Sequence, residues 1–461
     1  MVEVADGKPV HCIELVTGKG LTGTLLVSEE TICASIYSYT DFFYVKGEPI
    51  VLRSATNEIV SLHSNITSSP GDRSRLIDPK YTTYCQEILS NLAVVGHDPW
   101  TTEDRIRHVS FSVKHCTDLM SHLEKLKALG SNRYPTDDQL RIFSDTAGEL
   151  TVKAGYAATY GMDFDSPTQF GPVFEIEFNR ARDIRDYISS VSDYVSFLSF
   201  CLGAPLKPSS IHVDRLSSEE VKSAIEAHTY PGDHRVHYVW PEEEINTRDL
   251  WLGGSPSISR NDAELAALRA CLVAWMNRAH TWEKSYSLMM TSLSLRNVSS
   301  PERLINACRW FEDIPIAQTN DLLSQEEIDQ IAGVASRKAE ELGHSELSIG
   351  RIAGAIRLVR AESVEQRFAR LVAMVEAKFG RGVLGDEPVV HLKRAVQLRG
   401  KVAHGHFTAK DQSEFRSFSK CTLAMEALCY LLSAYDLPIS NDGISRIGMN
   451  PIVRDYRNAY S

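Results

Sequence analysis

The chain divides by the period of its apolar residues. Up to about residue 65 the pattern is that of strands. LTGTLLVS (21–28) and TICASIYS (31–38) are rich in β-formers, and Glu29-Glu30 between them is a predicted hairpin turn. PIVLRSA and EIVSLHS follow at strand length on either side of Thr56-Asn57. His11, Asp41 and His63 fall in no pattern that marks a site and are read as structural or surface residues. Residues 66–106 are mixed: SSPGDRSR is loop, and TYCQEILSNLAVVG fits either a helix or a strand. HVSFSVK (108–114) returns to alternation, and LMSHLEKLKALG (119–130) is an amphipathic helix stopped by Gly130. RIFS, ELTVKAG and PVFEIEF (172–178) are further strands. In the last, Phe174, Ile176 and Phe178 alternate with Glu175 and Glu177, so one face is apolar and the other wet. A helix is predicted from Ala181 to Leu202, with Ile184, Tyr187, Ile188, Val191, Tyr194, Val195 and Leu198 on one face and Gly203 and Pro205 at its end. Its aromatics are read as a core stripe.

Residues 204–261 read as a junction, with Pro205, Pro208, Pro231 and Pro241, the acidic run Glu242-Glu243-Glu244, and GGSPS. HRVHYVW (234–240) is a predicted edge strand; His234 and His237 have no third ligand at metal spacing. From residue 262 the period is helical. A long stripe runs through Leu265, Leu268, Leu272, Trp275 and Met276, and Ser300-Pro301 opens the next helix. Ser324 and Glu327 form a capping box ahead of Ile328, Ile331 and Val334, which are expected to point inward. SVEQRFARLVAMVE carries Val364, Phe368, Leu371, Val372 and Val375 on one face. Asp411 and Glu414 cap a last helix through Phe418, Leu423, Met425, Leu428 and Leu431, and Pro438 stops it. The expectation is an α+β protein: a β-rich domain at 1–203, a junction at 204–261, an all-α bundle at 262–437, and a tail at 438–461 read as a docking loop.

Composition narrows the classes. At 461 residues the chain is too long for one ordinary domain. A net charge of -11 argues against a protein that coats nucleic acid, but not against a local basic groove. Between Arg357 and Lys401 there are ten Lys/Arg and five Asp/Glu, a local positive surplus. The nine cysteines are scattered, with no C-x-x-C and no zinc spacing, which predicts a reduced, cytoplasmic protein without a metal or other cofactor. MVEVADGKPVHC does not read as a signal peptide, and no apolar run reaches about 18 residues, so no membrane partner is expected.

The chemistry concentrates in PVVHLKRAVQLRGKVAHGH (388–406). Pro388 suits a first helical position; Val389, Leu392, Val396 and Ala403 recur at helical spacing; Gly405 is a predicted helix stop. Arg399 and His404 therefore fall in the last turns. Imidazole exchanges protons near neutral pH, and guanidinium grips phosphate oxygens through two N–H groups. Together they suit phosphodiester cleavage by a ribose 2′-hydroxyl, which needs acid–base help and charge stabilisation but no metal. Five residues at about 100° each set the two side chains roughly 140° apart, so another element or a second subunit must complete the site. Arg394, Lys401 and His406 are the neighbouring candidates for RNA binding.

R-x-x-x-x-H followed by glycine resembles the signature of HEPN-domain ribonucleases. Glu365, Arg367, Phe368, Leu371 and Glu376 match the E-x-R-F-x-x-L-x-x-x-x-E helix that precedes the active helix in ApeA-like HEPN domains. The order of elements before residue 203 resembles the N-terminal domain of ApeA-type bacterial defence proteins. The resemblance implies a metal-independent endoribonuclease in abortive antiphage defence, with His404 as general acid or base and Arg399 on the scissile phosphate. It further implies an RNA substrate, a homodimer with facing motifs, and an N-terminal domain that senses a phage-derived trigger. The family usually has a polar residue after the arginine; Gly400 stands here. Two other readings stay open: a non-catalytic dimerisation and recognition module, which Gly400 favours, and a metal-dependent hydrolase using His404 and His406.

Overall fold

The computed structural model describes residues 10–15, 22–27, 32–38, 50–54, 57–63, 66–67, 74–77, 82–130, 132, 134–160, 167–238, 252–298, 300–404 and 411–459. Glu29-Glu30, Asp41, Gly405 and His406 lie outside these residues. The chain forms two compact units, residues 1–195 with 206–244, and residues 196–205 with 245–461. The architecture is α+β, as the residue periods predict.

The first unit is built on antiparallel strands: β1 Val10–Leu15, β2 Thr22–Val27, β3 Ile32–Ser38, β4 Ile50–Ser54, β5 Ile59–His63, β6 Ile66–Thr67, β7 Ser74–Ile77, β8 Thr82–Ser90, β9 Leu92–Gly96, β10 Ile106–Val113, β11 Arg141–Ala147, β12 Leu150–Tyr160, β13 Pro167–Arg182, β14 Pro208–Asp214 and β15 His234–Tyr238. Among the described residues they make one sheet in the order β11-β12-β13-β10-β14-β15-β9-β5-β4-β1-β2-β3-β8-β6, with β7 on β8. TYCQEILSNLAVVG thus resolves into two strands, and β15 lies between β14 and β9 rather than at an edge. Helices α1 Leu123–Gly130, α2 Asp137–Leu140, the start of α3 Asp186–Leu202, and α4 Ser218–Glu226 complete the unit.

Alternation decides which face of the sheet is dry. Val109, Phe111, Val152, Phe174 and Ile176 are buried, and Tyr194 of α3 packs among them. Its ring meets Phe111 at 5.6 Å and Phe174 at 5.3 Å, and its hydroxyl donates to the Lys153 carbonyl at 3.3 Å. The core-stripe reading of α3 holds, but the helix begins at Asp186: β13 runs through Arg182, where Arg182 pairs with Glu149 at 2.6 Å. His63 is buried, which lowers its pKa. His234 is buried on Asp98 at 2.8 Å. Asp98 also takes Arg215, whose guanidinium lies 4.6 Å from the buried Trp100 ring.

The second unit is helical: α5 Asp262–Ser294, α6 Pro301–Asp313, α7 Gln325–Glu341, α8 Glu346–Arg357, α9 Val364–Phe379, α10 Pro388–Ala403, α11 Gln412–Tyr435, α12 Asn441–Ile447 and α13 Pro451–Asn458. Its centre is aromatic. Trp275 stacks on Tyr286 at 4.1 Å, and Phe200 stacks on Tyr430 at 4.7 Å. Arg278 lies 4.0 Å from the Trp282 ring and donates to the Ser433 carbonyl at 2.6 Å. The starts read from sequence are capped as expected at Ser300, Ser324 and Asp411.

Two expectations need correction. Ile331, Val334 and Val364 are exposed; α7 buries Ile328 as expected, but together with Ala332 and Ala339, a face displaced around the helix. The tail is not a loop but α12 and α13, with Ile452, Val453 and Tyr456 buried. No described helix is long and apolar enough to cross a membrane.

Candidate functional site

Helix α10 starts where Pro388 predicts, after Glu387 in the left-handed region at φ 49°. Its buried face is Leu392, Ala395 and Leu398. Val389 and Val396 are half-buried and Ala403 is exposed, so the dry face is rotated from the one the apolar spacing marks. His404 is the cap residue, and its backbone N–H donates to the Gly400 carbonyl at 3.3 Å.

That bond keeps the helical register through His404. At about 100° per residue, Val390, Arg394, Gln397, Lys401 and His404 fall within a narrow sector of the helix. Val390, Gln397, Lys401 and His404 are exposed and Arg394 is half-buried, so this sector faces solvent. The predicted acid–base residue therefore shares a face with two of the predicted RNA-binding cations. Arg394 donates to Gln397 at 3.4 Å.

Arg399 leaves the helix on the other side. It forms an ion pair with Glu312 in the last turn of α6, with side-chain exposures of 33% and 48%. Cys308, one turn earlier on α6, is buried; burial pushes its thiol up to about 12, Arg399 drawing it down and Glu312 up. From α9, Arg367 lies 4.4 Å from the Phe311 ring and donates to the Ala317 carbonyl at 2.6 Å. Burial lowers its pKa below the ordinary arginine value. Two arginines and one carboxylate thus meet at the C-terminal end of α6. Glu312 has no sequence signal, since it lies 87 residues from Arg399.

The other residues of the α9 pattern are placed by packing and pairing. Phe368 and Leu371 are buried, and Phe368 meets Phe311 at 5.0 Å. Glu365 takes Lys393 of α10, and Glu376 accepts the Gly382 N–H at 2.9 Å. Among the described residues no group of three His, Cys, Asp or Glu is placed to hold a metal ion.

Gly400 is exposed, at an ordinary helical φ, and a Cβ there would meet nothing within 4 Å. A side chain therefore fits. Gly400→Ala is expected to stabilise the helical unit by about 0.5–1 kcal/mol, because glycine loses more backbone freedom on entering a helix. Denaturant titration checks this; a loss of stability would mean that the position is strained.

Comparison with protein families matches residues 20–249 to the model described as ApeA N-terminal domain 1. No curated protein and no solved structure matches the chain.

Proposed function

Because the chain is an ApeA-like antiphage defence protein, we propose that its helical unit is a metal-independent endoribonuclease of the HEPN type, released on infection by a phage-derived trigger. The observation that carries this reading is the solvent-facing sector of α10, where His404 shares one exposed strip with Arg394 and Lys401. Phosphates held along that strip would bring a ribose next to the imidazole.

In the reaction the 2′-oxygen bonds to phosphorus as its proton passes to a base, and the 5′-oxygen leaves with a proton from an acid. The phosphorus–5′-oxygen bond breaks, leaving a 2′,3′-cyclic phosphate and a 5′-hydroxyl. Arg399 would stabilise charge on the non-bridging oxygens. To do so it exchanges Glu312 for the phosphate, a cheap exchange because half-exposed ion pairs contribute only about 0–1 kcal/mol. The roughly 140° between the two motif side chains motivates a homodimer, in which one protomer's His404 completes the site of its partner's Arg399. His406 would add a phosphate contact beyond the helix end.

The test incubates the full chain, purified from phage-infected cells, with a structured RNA, a copy carrying deoxyribose at each position, and excess chelator. Cleavage of the RNA alone, unaffected by chelator and leaving cyclic phosphate ends, is expected. Cleavage of the deoxy copy or loss of activity with chelator would refute the mechanism. Arg399→Lys is expected to retain RNA binding better than turnover, since lysine keeps the charge without the fork.

A further inference from the structure

The first unit contains a second candidate site, independent of the nuclease reading. The face of the sheet opposite Tyr194 is not open to bulk water. It forms the floor of a cleft of about 830 Å³, walled by α2 on one side and by α4 with Tyr230 and Asp233 on the other. That volume is in the range of small-molecule sites.

The floor is charged in rows across the strands. Lys153 of β12 lies opposite Glu175 of β13, Glu175 opposite Ser110 of β10, and Ser110 opposite His212 of β14. In the next row Glu177, His108 and Asp214 are aligned. Packing needs none of these charges, and buried ions cost stability relative to apolar residues of the same shape. Some are satisfied internally. Buried Lys153 is held by Glu177 and by Ser218 Oγ at 2.8 Å, and Asp214 accepts from the Tyr230 hydroxyl and from the Leu216 N–H at 2.8 Å.

Two further carboxylates are each paired with a histidine. Glu175 Oε2 pairs with His108 Nε2 at 3.2 Å, and Asp233 Oδ2 pairs with His212 Nδ1 at 3.0 Å. Asp233 also accepts from its own backbone N–H, and both carboxylates line the cleft. Burial would raise the Glu175 carboxyl, but the hydrogen bond and charge of His108, with Lys153 and Arg141, hold it below its usual range. His212, with the Asp233 backbone N–H, does the same for Asp233 against its burial. Both carboxylates therefore bring negative charge to the cleft surface. Two strand spacings, roughly 10 Å, separate the Glu175 and His212 positions along the row.

We propose that this cleft binds a ligand carrying two cationic nitrogens roughly 10 Å apart, alkylammonium or guanidinium, one on Glu175 and one on Asp233. A free polyamine and a basic peptide segment share this chemistry.

Isothermal titration of the full chain with spermidine, with a tri-arginine peptide and with inorganic phosphate tests it. Saturable binding of either amine is expected, and the tighter of the two identifies the source. Glu175→Gln and Asp233→Asn should each weaken that binding at least about tenfold. Ser110→Lys should abolish it by placing an internal ammonium beside Glu175. Should Glu175→Gln unfold, Asp233→Asn carries the test, because Asp233 lies at the cleft wall outside the sheet. Absence of saturable amine binding up to millimolar concentration overturns the proposal. So does binding that both carboxamide variants leave unchanged, or saturable binding of phosphate that competes with the amine.

Discussion

Replacing His404 by alanine should lower RNA cleavage by about 10²–10⁴-fold while leaving the fold intact, the usual contribution of a positioned acid–base group. The two halves of that expectation rest on different observations. The loss follows from the proposed chemistry, in which no other imidazole on the exposed strip can exchange the proton. The preserved fold follows from position: His404 is an exposed cap residue at the end of α10 and makes its helical bond through the backbone, which alanine retains. A favourable dipole contact at a helix C-terminus is worth about 0.3–1 kcal/mol at the surface. Cleavage rates on one RNA, beside a denaturation curve, measure both. An active variant would remove His404 from the mechanism, and an unfolded one would make the activity loss uninformative. His406→Ala is the internal control and should be milder; the reverse ranking would reassign the histidine.

The largest stability effect is expected elsewhere in the helical unit. Arg303 of α6 and Glu426 of α11 pair through two bonds, Nε to Oε1 at 2.8 Å and Nη2 to Oε2 at 2.7 Å. Their side chains are only 9% and 4% exposed. Arg303 also donates to the Arg296 carbonyl at 2.5 Å, and Arg296 continues to Asp455 of α13 at 2.7 Å. Burial alone would lower the Arg303 pKa; the Glu426 charge and hydrogen bonds outweigh it, and the net direction is up. Glu426→Ala strands that cation and should destabilise the unit by about 3–5 kcal/mol. Replacing both residues, as Arg303→Met with Glu426→Leu, should restore most of the loss, because the cost comes from the unpaired charge. Trp275, Trp282 and Trp310 report the unfolding by fluorescence. A loss below about 1 kcal/mol in Glu426→Ala would mean that water reaches the pair.

Neither partner of that pair announces itself in the sequence, and the contrast with what was readable is physical. Phe174, Ile176 and Phe178 are legible because a strand has a strict period, and the caps at Ser300, Ser324 and Asp411 because capping is local chemistry. Ile331, Val334 and Ala403 mislead because an apolar residue at helical spacing states which face could be buried, not whether a neighbour arrives. The tail reads as loop because α12 and α13 are short, although Asn450 caps α13 through the Ile452 N–H at 3.2 Å ahead of Pro451. Arg399 and His404 were visible as types with known chemistry. Glu312 and the cleft were not, because each depends on strands or helices that meet only after folding.

The position of β14 and β15 carries a consequence for synthesis. They are the last strands to leave the ribosome, yet they occupy the middle of the sheet, β14 against β10 and β15 against β9. When residue 203 emerges, the ribbons β11-β12-β13-β10 and β9-β5-β4-β1-β2-β3-β8-β6 exist with nothing to join them. Each then shows an unpaired inner edge, the kind of surface on which nascent chains aggregate. The N-terminal unit is therefore completed only once residue 238 is out, and a gene fragment cut at 203, where the composition invites a cut, encodes two half-sheets with sticky edges.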